Sequence, residues 1–311
     1  MISPWTLLLV SVVYVGGLFA LAYYGDRKPL YPTRTWLRPI VYSLALAVYC
    51  TSWTFYGAVG TAARSGLAFL PIYLGPILLF VLGFGLFRRL VLIAKERKVT
   101  SIADFIGARF GKSHALGALV TLIAVTAVVP YLALQLKAVA MGIDVLTGSG
   151  TLEGGTPLFA DSAFYVALLL AVFAILFGTR GIDATEHHHG MMLAIAAESL
   201  VKLLAFVAVG VYALMHSNGF EAFTEPLRNV ATDALPSGFF AQTVLAFAAI
   251  FCLPRQFQVG VVECENPADL RLARWLFPLY LLIICALVLP IVHAGSRAAI
   301  GTGVAPDAYV L

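Results

Sequence analysis

Charge is what this sequence has least of. Asp, Glu, Lys and Arg together make up 12% of its 311 residues and apolar residues 61%, where a soluble domain carries roughly 25% charged and 45 to 50% apolar residues. A water-soluble globule is thereby excluded. Cysteine is also sparse: Cys50, Cys252, Cys264 and Cys285 are scattered without a CxxC spacing, which supports neither a disulfide framework nor a zinc site. No Walker loop, no glycine fingerprint after a strand and no nucleophile elbow occurs, so enzyme chemistry has no visible carrier. No Lys or Arg precedes the first apolar run, Trp5 to Tyr24, and that run is too long for the core of a signal peptide.

What the sequence has in abundance is apolar segments of membrane length. A bilayer core about 30 Å thick takes about 20 apolar residues per helix. Eight segments meet that need: Trp5 to Tyr24, Pro39 to Ala63, Leu67 to Phe87, His114 to Ile143, Ser162 to Phe177, Gly190 to Met215, Gly238 to Gln258 and Trp275 to His293. The expectation is one membrane module over residues 1–311, all helical and embedded in a lipid bilayer. The cations fall in alternate loops: Arg27, Lys28, Arg34 and Arg38 in the first, Arg88 to Lys112 in the third, Arg180 in the fifth, and Arg255, Arg271 and Arg274 in the seventh. The even loops and the tail hold Arg64, Arg228 and Arg297. The positive-inside rule then puts the N-terminus outside and the odd loops in the cytoplasm, and the net charge of +4 reflects topology, with no nucleic-acid partner implied.

Function in such a chain is sought where membrane helices break the rules, because unpaired backbone groups at membrane depth belong beside protein or a water-filled cavity. The second segment carries Cys50-Thr51-Ser52-Trp53-Thr54-Phe55-Tyr56-Gly57-Ala58-Val59-Gly60, three hydroxyls and two glycines near the middle of a span. Such a stretch can unwind and offer carbonyls to a cation. Equally, Ser and Thr can bond back to the preceding turn while Gly permits close packing. A second interruption, Phe251-Cys252-Leu253-Pro254-Arg255-Gln256-Phe257-Gln258, favours the first reading, since paired broken helices point to a transporter binding site.

Other polar groups lie inside the apolar runs. Tyr131 and Gln135 are four residues apart and share one face of the fourth segment, which either lines a solute path or bonds to a neighbouring helix. Lys137 reads as a side chain snorkelling to an interface. Glu198 and Lys202, also four apart, read chiefly as a self-neutralising pair. The run Glu186-His187-His188-His189 points its imidazoles in different directions on a helix and does not make a metal site.

At these motifs the sequence resembles the sodium/solute symporter family, and within it the symporter-like N-terminal module of bacterial sensor histidine kinases that take up histidine. The resemblance rests on Thr51 to Gly60, on Thr100-Ser101-Ile102-Ala103-Asp104-Phe105-Ile106-Gly107-Ala108-Arg109-Phe110-Gly111, on Gly178 to Glu186 and on Leu253-Pro254-Arg255-Gln256-Phe257. It extends over essentially the whole chain. It implies an all-α integral membrane fold of two inverted five-helix repeats after a leading helix (the five-plus-five, LeuT-like transporter fold), in the bacterial inner membrane. Segments two to six would form the first repeat and segments seven and eight would open the second, so the module is expected to continue beyond Leu311.

The function so implied is sodium-coupled symport of a small solute, an amino acid with histidine among the candidates. The alternative is a sensor input that binds solute and signals to a kinase domain in cis. Thr51, Ser52, Thr54, Tyr131, Gln135, Phe251 and Gln256 are the expected solute-pathway residues. Alignment on Phe55 and Gly57 makes the main-chain carbonyls of Ala47 and Cys50 the expected sodium ligands. This chain has Tyr49 where some relatives carry Asp or Asn.

Overall fold

The computed structural model describes residues 3–27, 36–148, 164–165, 167–168, 171, 189–216, 235–298 and 305–310. Among them every regular element is helical. α1 spans Pro4–Arg27. α2, Leu37–Ala45, continues as a 3-10 turn over Leu46–Tyr49, and α3 spans Ser52–Ser65. A second 3-10 turn, Gly66–Phe69, leads to α4, Leu70–Val81, followed by α5, Phe84–Glu96, α6, Ile102–Arg109, and α7, His114–Thr147. α8 is His189–His216, α9 Phe239–Cys252, and α10 Pro254–Phe257 with a π-helical turn, Gln258–Val262, after it. α11, Leu270–Ala298, and a 3-10 turn, Pro306–Ala308, complete the described elements.

α11 is the central post, packed against α2, α3, α4 and α8. Phe277, Leu281, Ile284, Val288 and Ile291 are buried along it at the three- and four-residue intervals of a single helix face. Leu272, Trp275, Leu279 and Leu282 point outward, as suits a helix with lipid on its other side. Small residues set two close crossings. A Cβ on Gly75 of α4 would lie 2.4 Å from the backbone nitrogen of Phe247 on α9, and one on Gly190 of α8 would lie 1.9 Å from the carbonyl oxygen of Ala22 on α1. Without these glycines the helix backbones could not approach so closely.

Among the described residues, five helical stretches are long and apolar enough to cross a membrane: Trp5–Arg27, Ser52–Val81, His114–Thr147, His189–His216 and Leu270–Ala298. The bent pair Phe239–Cys252 with Pro254–Val262 makes a sixth. Eight segments were expected, and the difference has two sources. Ser162 to Phe177 lies largely outside the described residues, and Ser52–Val81 joins the end of the second segment to the third. That stretch is not one rod. The Tyr73 hydroxyl donates to the carbonyl of Thr54, 19 residues earlier, at 2.8 Å, whereas in a continuous helix the two would stand about 28 Å apart. The chain reverses at Gly66, whose φ of 56° and ψ of −122° suit a residue without a side chain.

Polar residues gather at the two ends of α11. At its N-terminal end Arg38 pairs with Asp269, Lys95 donates to the carbonyls of Cys264 and Glu265 at 2.6 Å each, and His189 meets Glu265 at 2.8 Å. At its C-terminal end Tyr309 lies against Gly295 and Arg64 pairs with Asp307 at 2.9 Å. Arg38 of the first loop, Lys95 of the third and residues 264–269 of the seventh therefore meet at one end, and Arg64 lies at the other; Arg180 lies outside the described residues, and Arg255, expected in the seventh loop, is part of α10 instead.

Candidate functional site at two helix breaks

The first break is shorter than the sequence suggests. Only Cys50 (φ −83°, ψ 106°) and Thr51 (φ −104°, ψ 179°) leave the helical region, while Ser52–Ser65 is regular α-helix. The expectation that Thr51 to Gly60 unwinds is corrected to this two-residue step. The hydroxyls explain it, because they fall in the first turn of α3, where free backbone N–H groups need acceptors. Thr54 Oγ1 accepts from the backbone N–H of Thr51 at 3.0 Å. Gly57 and Gly60 serve packing: a Cβ would strike the Trp53 indole at the first and the Asp307 carboxylate at the second.

The second break lies at Leu253, extended at φ −74° and ψ 121°, with Pro254 at the start of α10, where a missing N–H does no harm. The two halves meet at 57°. Beyond α10 the π-helical turn is held to α2 by the Tyr42 hydroxyl, which donates to the carbonyl of Gly260 at 2.6 Å.

α7 brings its polar face to both breaks. Gln135 Oε1 accepts from Ser52 Oγ at 2.8 Å and from the Trp53 backbone N–H at 3.4 Å, at the N-terminus of α3. One turn earlier, the Tyr131 hydroxyl accepts from Arg255 of α10, whose guanidinium also lies 4.5 Å from the centre of the Tyr131 ring. Gln256 is buried and donates weakly to the Leu46 carbonyl at 3.4 Å. Gln135 Nε2 and Gln256 Oε1 are buried and have no partner among the described residues. One amide donor and one amide acceptor thus remain for a polar solute, beside a guanidinium that suits a carboxylate.

Of the expected pathway residues, Ser52, Tyr131, Gln135 and Gln256 take part in this seam. Thr51 and Thr54 shape the start of α3, and Phe251 packs against Phe87 and Phe247 with ring centres 6.2 and 6.1 Å away. Of the expected sodium carbonyls, Ala47 O accepts the Cys50 backbone N–H at 2.9 Å, and Cys50 O accepts from Lys202 Nζ at 2.9 Å. Arg255 and Lys202 are the groups sequence reasoning undervalued. Arg255 stood inside a quoted motif, and Lys202 was read only with Glu198, which it does pair with at 3.2 Å.

A crevice with room for about one water molecule lies elsewhere, at the ion-paired end between Arg38, Tyr42, Met192, Glu263, Glu265 and Asp269. Its carboxylates already have protein partners, Asp269 in Arg38, Glu263 in Gln258 and Glu265 in His189, so the breaks are the better site. Burial pushes the nearby Cys264 thiol up to about 11, which keeps it protonated and unreactive at neutral pH. All four cysteines are free, and no cluster of His, Cys, Asp and Glu able to hold a metal occurs among the described residues. Gly178 to Glu186, His187 and His188 lie outside those residues.

Two curated proteins are similar to this chain over most of its length. An uncharacterized symporter of Bacillus subtilis strain 168, YhjB, is 28% identical over 257 residues, covering 78% of this chain and 48% of that protein. A second from the same strain, YodF, is 26% identical over 259 residues, covering 80% and 49%. The chain is similar to symporters. It spans about half the length of the curated relatives it matches. No family profile matches the chain, and no solved structure does. The similarity to symporters and the several apolar helices together support a multi-pass membrane protein.

Proposed function

We propose that this chain forms part of a secondary transporter that carries a small solute through the seam between α3, α7 and α10. The single observation that carries this reading is the convergence of the two helix breaks on one polar helix face, with Gln135 at the first and Tyr131 at the second. Paired broken helices at the middle of a membrane module are the usual frame of a solute site in inverted-repeat transporters. The five-plus-five arrangement belongs to this proposal, with α2–α3 and α9–α10 opening the two repeats. The solute class is an amino acid, whose carboxylate suits Arg255. Histidine is the first candidate, and sodium is the coupling ion that the resemblance implies.

The test is uptake by the intact protein in liposomes, with labelled histidine and a panel of amino acids under an imposed sodium gradient. The expected result is accumulation of at least one amino acid above equilibrium, lost in Arg255→Ala. Solute binding without accumulation would move the reading to a sensor input, and neither binding nor accumulation of any amino acid would remove the solute class.

A further inference from the structure

Between the end of α4 at Val81 and the start of α5 at Phe84 the helix is interrupted, and Arg274 of α11 fills the gap. Its Nη2 donates to the Val81 carbonyl at 3.1 Å, and its guanidinium carbon lies 5.0 Å from the centre of the Phe84 ring and 5.1 Å from that of Trp275. Arg274 Nε is buried and has no partner among the described residues. One carbonyl and two aromatic faces thus fix the guanidinium in place. Its charge is not balanced, because the ion pairs among the described residues, Arg38–Asp269, Arg64–Asp307, His189–Glu265 and Lys202–Glu198, join other side chains.

Two more arginines flank it. Arg88 follows Phe84 by four residues on α5, and Arg271 precedes Arg274 and Trp275 by three and four on α11. Each therefore shares a helix face with an aromatic ring that holds Arg274 and stands a turn nearer the ion-paired end of the bundle. Both are exposed and have no carboxylate partner among the described residues. Toward the membrane the surface turns apolar, with Leu82, Trp275 and Leu279 exposed.

We infer that Arg88, Arg271 and Arg274 form a binding site for an anionic phospholipid, its phosphate among the guanidiniums and its acyl chains along Trp275 and Leu279. Arginine suits phosphate because it presents paired N–H donors, and basic pockets between membrane helices at the cytoplasmic side take anionic headgroups. Trp275 stands where apolar surface meets charge, the usual depth of an interfacial tryptophan. A zwitterionic lipid brings the same phosphate with an ammonium that three unpaired cations repel, and free phosphate brings no chains for the apolar surface. The site stands whether or not the seam of α3, α7 and α10 carries solute.

The experiment is thermal unfolding of the intact protein in a non-ionic detergent, titrated with short-chain phosphatidylglycerol, with phosphatidylcholine of the same chain length, or with inorganic phosphate. A ligand that binds only the folded protein raises its Tm. Phosphatidylglycerol is expected to give a saturable rise of several degrees, and the other two much less. Arg88→Gln with Arg271→Gln is expected to weaken the apparent affinity for phosphatidylglycerol by about tenfold or more, the loss of two interfacial cations. Arg274 is left in place because it also caps α4. The control is Arg109→Gln with Lys112→Gln, which removes two exposed cations at the end of α6 and is expected to keep wild-type affinity. Three results overturn the inference: phosphatidylcholine or inorganic phosphate stabilising as well as phosphatidylglycerol, an unchanged affinity in the Arg88/Arg271 variant, or an equal loss in the control, which would make the effect one of diffuse surface charge.

Discussion

Arg38 and Asp269, 231 residues apart in the chain, meet as a two-pronged pair: Nε donates to Oδ2 at 2.6 Å and Nη2 to Oδ1 at 3.2 Å. The carboxylate side chain is only 6% exposed and the guanidinium side chain 23%, so removing either partner strands a poorly solvated charge. Arg38→Ala or Asp269→Asn is expected to destabilise the protein by about 2 to 3 kcal/mol, the value for a buried pair reduced for the partly open arginine. Replacing both at once, with Met and Leu, is expected to recover most of that loss. Denaturation midpoints of the purified variants decide it, and a double variant as unstable as the sum of the singles would refute the account.

Gly75 sets the α4–α9 crossing, and even a methyl group there meets the Phe247 backbone nitrogen at 2.4 Å and the Ala246 carbonyl carbon at 2.6 Å. Backbone cannot rotate away as a side chain can. Gly75→Ala is therefore expected to lower stability by about 1 to 3 kcal/mol through overpacking. Gly85→Ala, with nothing within 4 Å of the new carbon, is the matched control and is expected to be neutral or slightly stabilising, since Ala is the better helix former.

Gln135 and Ser52 separate the seam's role in transport from its role in packing. Gln135→Leu leaves the Ser52 hydroxyl and the Trp53 N–H without their acceptor, at a cost of about 1 to 3 kcal/mol. The expected loss in initial uptake rate is tenfold or more, while Ser52→Ala, which removes one donor only, is expected to lose less than tenfold. Equal losses in both variants, or uptake unchanged in Gln135→Leu, would put the solute path elsewhere.

Orientation is testable by cysteine labelling at exposed positions. Arg88 and Arg271 are exposed near one end of the bundle, and Ser65 is exposed near the other, beside the Arg64–Asp307 pair. Cysteines at 88 and 271 are expected to react with a membrane-impermeant reagent only after the cytoplasmic face is opened, and a cysteine at 65 in intact cells, as the positive-inside rule requires. The same sidedness at 65 and 88 would end the alternating topology.

Helix placement was largely legible because it follows from runs of apolar residues, which are local. Gly66, read as lying between two segments, is where the chain reverses, and Leu253-Pro254 is where the second break falls. Ser52 and Gln135 were legible as polar groups in apolar surroundings, although their contact was not, since 83 residues separate them. The extent of the first break was misjudged: the same hydroxyls that signal unwinding also make a good helix start, and only the fold shows that α3 begins at Ser52. Arg38 with Asp269 and Lys202 with Cys50 are long-range pairings that no local pattern specifies.

The bond from Tyr42 to Gly260 has a mechanical consequence. It fastens α2, the leading half of one broken helix, to the turn that follows the other, and a Cβ on Gly260 would already lie 3.3 Å from Leu46 and 3.2 Å from Phe87. A tilt at either interruption must therefore carry its counterpart along or break this bond, as when one tie spans two pivots.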